Sequence, residues 1–169
     1  MSLWEQFNMG ARVKSKTAMA TQVTQSSAAA ATTQDGLTID RYESGLGHYY
    51  SCKALVCGQF LYGASSAHTA SIASLNFQHS SDGTSWDSYS TGTVPTTAVV
   101  WGATSAGNAA GTTAGTANNE IEQSVNLSGA RRYIRIQVPA PTFTDCSSGS
   151  VLTLGAVVVF GGADTLPAA

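Results

Sequence analysis

Charge is what this chain has least of. Of its 169 residues only 8 are Lys or Arg and 10 are Asp or Glu, which makes 11% charged, under half the roughly 25% usual for a soluble domain. An isolated soluble domain keeps clear of its neighbours with a mixed charged surface. A chain this uncharged suits an assembly in which much of that surface is covered. The net charge of −2, with a basic cluster confined to Arg131, Arg132 and Arg135, excludes the electrostatic footprint of a nucleic-acid binder. Long apolar runs are missing too. The longest, Ala156-Val157-Val158-Val159-Phe160, has the length of a strand and falls far short of the roughly 20 residues of a helical membrane span, so no membrane partner is expected. The opening residues Met1-Ser2-Leu3-Trp4-Glu5-Gln6-Phe7 lack a basic start followed by an apolar stretch, so no export signal is expected. Cysteine is scarce and odd in number: Cys52, Cys57 and Cys146 cannot form a fully paired disulfide framework. Free, mostly buried thiols are expected, as in a protein made in a reducing cytosol.

The groups that enzyme chemistry needs are also missing. No Gly-x-Ser-x-Gly elbow positions a nucleophile, and the Gly-rich stretch 107–115 carries no Lys for a phosphate loop. His48, His68 and His79 are scattered and do not fall at zinc-ligand spacings beside the cysteines. Glu120 and Glu122 share a strand face and could form an acid or metal pair, but a solvated strand face explains them more simply. Asp82 and Asp87 flank a turn, where Asp82 serves the turn itself. No catalytic residue, cofactor site or metal site is therefore assigned, and the chain is read as a non-enzyme.

What is present is alternation. Ala73, Leu75, Phe77 and His79 fall on one side of a predicted strand, with Ser74, Asn76, Gln78 and Ser80 on the other. Asp82-Gly83 then supplies a hairpin turn, and Trp86 opens the return strand through Tyr89. Ile121, Gln123, Val125 and Leu127 alternate with Glu122, Ser124 and Asn126, and Gly129 makes a corner. Ile134, Ile136 and Val138 oppose Tyr133, Arg135 and Gln137, which places the aliphatic trio in the core; Pro139 and Pro141 end that strand. The stretch 151–160 is a closing strand, apolar on both faces near its end. It should sit centrally or be covered by a subunit. The fold expected is all-β: an antiparallel β-sandwich or jelly roll of about seven or eight strands.

Residues 1–34 are expected to be an extended N-terminal arm, and 35–169 the β-sandwich domain. Ser2 and Glu5 form a capping-box pattern, and Leu3, Trp4, Phe7 and Met9 could fill one face of a short helix; a frayed terminus is the alternative. Residues 17–34 carry no charge and only Met19 and Val23 as larger apolar groups. They form either a flexible arm or an extended strand that orders against a neighbour. Residues 90–119 are long for a loop and rich in Thr, Gly, Ala and Asn. Trp101 within them is either a lid over the core or an interface anchor. Leu3, Trp4, Phe7 and Trp101 are the candidate interaction residues.

Two resemblances rest on these motifs. Ser80-Ser81-Asp82-Gly83-Thr84-Ser85-Trp86 and Arg132-Tyr133-Ile134-Arg135-Ile136 resemble the hairpin and strand of discoidin (F5/8 type C) jelly rolls. The bracketing cysteines of many such domains are absent here. That resemblance implies a carbohydrate-binding module, with loop tips and aromatics such as Trp86 or Trp101 contacting sugar. From about residue 70 to the C-terminus the chain also resembles head decoration or cement proteins of tailed bacteriophages. Ala130-Arg131-Arg132-Tyr133-Ile134-Arg135 and Gly161-Gly162-Ala163-Asp164-Thr165-Leu166-Pro167 carry this likeness. It implies a structural virion protein, made in the host cytoplasm and located on the capsid surface. Such a protein binds the major capsid protein and associates with itself as a dimer or trimer. A tail or connector component is a variant of the same reading.

Overall fold

The computed structural model describes residues 14–24, 31–42, 49–62, 69–93, 99–102, 115–144 and 150–163. Among these, twelve strands and no helix occur: β1 Lys14–Thr24, β2 Gln34–Asp35, β3 Ile39–Asp40, β4 Tyr49–Tyr62, β5 Thr69–Ile72, β6 Ser74–Ser80, β7 Asp87–Thr93, β8 Val99–Gly102, β9 Gly115–Asn126, β10 Tyr133–Val138, β11 Thr142–Thr144 and β12 Val151–Ala163. Every pairing is antiparallel. A four-stranded sheet runs β1-β12-β4-β9. A second sheet runs β2-β10-β6-β7, with β3 also on β10, and a third runs β11-β5-β8. The count exceeds the expected seven or eight because β2 and β3 are two-residue pairings. In addition, β5 and β6 are one run of chain broken at Ala73, and β10 and β11 are separated at Pro139–Pro141.

The sheets enclose one core. From the four-stranded sheet come Ala54, Val56, Phe60, Leu152, Leu154, Val158 and Phe160; from the facing strands come Ile72, Leu75, Phe77, Ile134, Ile136 and Val138, all buried. The alternation read from the sequence holds on β10, where Ile134, Ile136 and Val138 point inward, and on β9, where Ile121 and Val125 do, with Leu127 buried just beyond its end. It breaks on β6 at both ends. Ala73 is exposed, not aligned with Leu75, because it is the extra residue at which the chain passes from one sheet to the next and inward parity resets. At the far end Ser80 is buried and His79 only half-buried, three residues after a bulge opens between Phe77 and Gln78.

The largest departure from the sequence reading is the arm. Of the stretch 17–34, expected as a flexible arm or a strand ordered by a neighbour, residues 17–24 belong to β1, paired with β12 of the same chain from Lys14↔Phe160 to Thr24↔Val151, and residues 25–30 lie outside the described residues. A backbone ladder satisfies N–H and C=O groups whatever the side chains are, so a Thr/Ala/Gln segment can pair as well as an apolar one. A bulge at Ala18 turns two successive residues, Ala18 and Met19, inward. There the two sheets are tied. Leu37 N donates to Ala18 O (2.7 Å) and Gly36 N to Ile136 O (2.8 Å), so the stretch before β3 bonds the edge of one sheet and the centre of the other.

The β6–β7 turn forms as its residues dictate. Gly83 has φ +76°, a conformation that costs glycine nothing. Ser80 Oγ donates to Asp82 Oδ1 (2.7 Å) and accepts from Gly83 N (2.9 Å); Asp82 Oδ1 accepts from Thr84 N and Ser85 N, both at 2.8 Å. These donors hold the Asp82 carboxyl far below the usual carboxylate range, and the Arg132 guanidinium does the same, less strongly, for Asp40. Folded-state values below the unfolded value of about 3.9 mean that this stability is complete above that pH and lost as pH falls through it. The expected result is a denaturant midpoint that drops between pH 5 and pH 2.5, and drops less in Asp82→Ala, whose midpoint is already lower at pH 7. An equal acid response in the two proteins would refute the assignment.

Candidate functional site

The two outer faces of the sandwich differ in kind. On the β10–β6 face the polar side chains are occupied with one another. Arg135 lies over the Trp86 ring (4.4 Å to the centroid), donates from Nε to Gln78 Oε1 (2.7 Å) and pairs with Asp35 (3.1 Å). Gln137 Nε2 donates to Asp35 Oδ1 (2.8 Å), and Tyr133 packs over Gly83. Arg132 grips Asp40 through both Nε and Nη2. These are cross-strand pairs, and only Asn76 Oδ1, among the described side chains of this face, is buried without a hydrogen-bond partner. Arg135 covers one face of the Trp86 ring.

The outer face of the four-stranded sheet is the opposite. Its two central strands present Val151, Thr153, Gly155, Val157 and Val159 from β12, and Ser51, Lys53, Leu55, Cys57, Gln59 and Leu61 from β4. Val157 is 38% and Leu61 43% exposed, on central strands where both neighbours already complete the hydrogen-bond ladder. Leu55 sits directly across from Val157, and Leu61 from Val151. Beside the Leu55–Val157 pair the surface dips into a shallow hollow over Gly155, bordered by Thr17, Cys57, Thr153 and Glu120; a Cβ added to Gly155 would meet nothing within 4 Å. A Lys53–Glu122 ion pair crosses the face. Glu120 and Glu122 do lie on one side of β9, but Glu122 is engaged by Lys53 and both are exposed, so they do not form an acid pair. Among the described residues, no group of three His, Cys, Asp or Glu side chains gathers as a metal site.

The cysteines divide. Of the two described cysteines, Cys52 faces the core and Cys57 is exposed on the flat face, because the odd and even positions of β4 face opposite ways; Cys146 lies outside the described residues. Burial pushes the Cys52 thiol up to about 12, so it stays protonated in the folded chain while the unfolded thiol ionises near 8.5. That contribution is complete below pH 8.5 and is lost as pH rises toward 12, at about 1.4 kcal/mol per pH unit. The stability difference between the wild type and Cys52→Ala should therefore shrink from pH 8 to pH 11, measured by urea unfolding under reducing conditions. A constant difference would contradict it.

At one end of the sandwich a polar knot fixes the β9–β10 turn. The Arg41 guanidinium is buried and donates to the carbonyls of Tyr49 (2.9 Å), Leu127 (3.1 Å), Ala130 and Arg131 (3.1 Å). Tyr89 Oη donates to Asn126 O (2.8 Å) and accepts from Gly129 N (3.3 Å). His79 stacks on Tyr89 with ring centroids 4.9 Å apart, and its Nδ1 accepts from Arg131 N (3.3 Å). Burial and the nearby Arg131 lower its pKa, which keeps that acceptor unprotonated.

No protein-family model and no curated relative matches the chain. Three solved structures resemble the chain in part, at low identity. The STIV MCP superposes over 90% of this chain with a TM-score of 0.47 and 8% identity. The Clostridium thermocellum xylanase 10B CBM22-1–GH10 modules, complexed with xylohexaose, superpose over 94% with a TM-score of 0.35 and 13% identity. The infectious bursal disease virus Gx strain structure superposes over 90% with a TM-score of 0.28 and 12% identity. This chain spans 49%, 28% and 42% of those chains respectively. Likenesses at this level carry no function across.

Of the candidate interaction residues, Leu3, Trp4 and Phe7 lie outside the described residues. Trp101 lies on β8, paired with Ala70 of β5. The sequence reading missed the outer face of β4 and β12. Its one legible trace was the closing strand, apolar on both sides; β12 is indeed central, flanked by β1 and β4.

Proposed function

We propose that this protein is a structural component of a virus particle that works by covering surface. Its most specific form is a head decoration or cement protein of a tailed bacteriophage, seated on the major capsid protein at the capsid surface. The observation that carries the reading is the outer face of the four-stranded sheet: wide, flat, weakly apolar, with Val157 and Leu61 exposed on central strands. A repeating lattice turns modest contacts of this kind into lasting attachment, because each added contact is intramolecular once the first is made. The cement-like motifs from Ala130 to Arg135 and at 161–167 support the finer assignment. Leu3, Trp4, Phe7 and Trp101 are proposed as further contacts to neighbouring subunits.

The test is direct. Purified particles should contain the chain in stoichiometric amount by mass spectrometry, and the recombinant protein should co-sediment with particles stripped of it. Absence from particles, together with failure to co-sediment, would end this reading. The carbohydrate-module reading has less support, because Arg135 occupies one face of Trp86; saturable binding on a glycan array would restore it.

A further inference from the structure

We infer that the outer face of the four-stranded sheet is closed by a second copy of this chain, with a two-fold axis running parallel to the strands between β12 and β4. This deepens the structural reading above by naming the partner of that face.

The sheet's edges do not invite strand addition at β1. The Ala18 bulge interrupts its outer edge, and Leu37 N already occupies the Ala18 carbonyl; bulges and covering segments are how edges are kept from pairing. Association on the β1 side is thereby directed to the face. From the Ser51↔Gly161 pair to the Leu61↔Val151 pair, β4 and β12 run side by side with β1 and β9 flanking them. Strand spacing and rise make this a patch of about 700 Å². Two copies would bury about 1,400 Å², within the range of stable, specific interfaces.

The arrangement of residues selects the axis. A two-fold across the strands would lay β9 on its own copy and bring Glu120 and Glu122 against the same carboxylates of the partner. A two-fold along the strands lays β4 on the partner's β12 and β9 on the partner's β1. Leu55 then meets Val157 of the other copy and Leu61 meets Val151. Cys57 stands over the hollow at Gly155. The acidic strand, with Glu120 and Glu122, then faces the uncharged outward positions of the partner's β1, Ala20 and Thr17, and is kept off its own copy. The contact is isologous, each half completing the other, and sheets packed this way keep their strands within about 30°.

The full chain should run as a dimer in sedimentation velocity at micromolar concentration. Val157→Asp and Gly155→Arg both act outward, on side chains the core does not use, and each should weaken the dimer at least about 100-fold while leaving the thermal unfolding of the monomer intact. A bis-maleimide should couple Cys57 to Cys57 in the wild type and not in these variants, as located by peptide mapping. A protein that stays monomeric at high micromolar concentration overturns the inference. So does a dimer indifferent to both substitutions, or a face protected from exchange only when capsids are added, which would make the capsid its partner. The two readings fail separately: a monomer that still co-sediments with particles removes the dimer alone, and a dimer absent from particles removes the virion role alone.

Discussion

Arg41→Met should cost about 4 kcal/mol of folding stability and lower the melting temperature by roughly 10 °C or more. The side chain is 7% exposed and its Nη1 and Nη2 donate to four backbone carbonyls from two stretches of chain, Tyr49 and the β9–β10 turn. Methionine fills similar volume but donates nothing. The carbonyls of Tyr49, Ala130 and Arg131 would be left short of partners, at about 1–3 kcal/mol for each that water cannot reach. Arg41→Lys keeps the charge but offers donors from a single atom without the planar fork, so it should recover only part of the loss. The order wild type, Lys, Met in urea midpoint is the expected outcome. A Lys variant equal to Met would mean that the fork geometry is irrelevant, and a neutral Met variant would remove Arg41 from the framework altogether.

Gly36→Ala should be the second most damaging change, at about 3 kcal/mol, although it adds one methyl group. A Cβ at this position would lie 2.5 Å from Ala18 O and 2.8 Å from Ile136 O. Both are backbone atoms, so no side chain can swing away. Relief requires parting the β1 edge from β10, which breaks the bonds from Leu37 N to Ala18 O and from Gly36 N to Ile136 O. Hydrogen exchange should show the damage where it occurs: the Leu37 and Gly36 amides should exchange faster than the amides of the β4–β12 ladder. Gly155→Ala is the contrast, since a Cβ there meets open space and the folded chain should tolerate it. Equal stability of the two variants would refute the close-approach argument.

How much of this was legible in the sequence depends on the range of the interaction. The β6–β7 hairpin and β10 were readable because their information is local: alternation, Asp82-Gly83, and the aliphatic trio Ile134, Ile136 and Val138. The pairing of β1 was not, because its Thr, Ala and Gln side chains carry no pattern and what orders them is the backbone of β12, more than a hundred residues away. Arg41 looked like any loop arginine. Its acceptors are carbonyls 8, 86, 89 and 90 positions distant, and a carbonyl leaves no mark in a sequence. The candidate surface was half legible. The two-sided apolar character of β12 announced a covered strand, but which side lay open required the register with β4. Of the four interaction residues proposed from composition, Leu3, Trp4 and Phe7 fall outside the described chain, while the outward residues of β4 and β12 drew no attention because Gly155, Thr153 and Cys57 are small.

The position of β12 has a consequence for how the protein is made. It is the last strand in chain order, yet it lies between the first strand and β4. Until Val151–Ala163 has left the ribosome, β1 and β4 have no partner between them. Each then presents an open row of backbone donors and acceptors while the rest of the chain is already long enough to collapse. Closure is the insertion of a late strand into a waiting slot, with loop-closure entropy to overcome across the more than one hundred residues between β1 and β12. During that interval the slot is open to the closing strand of any other copy emerging nearby, so yield in the cell should fall with synthesis rate more steeply than the stability of the finished fold would suggest.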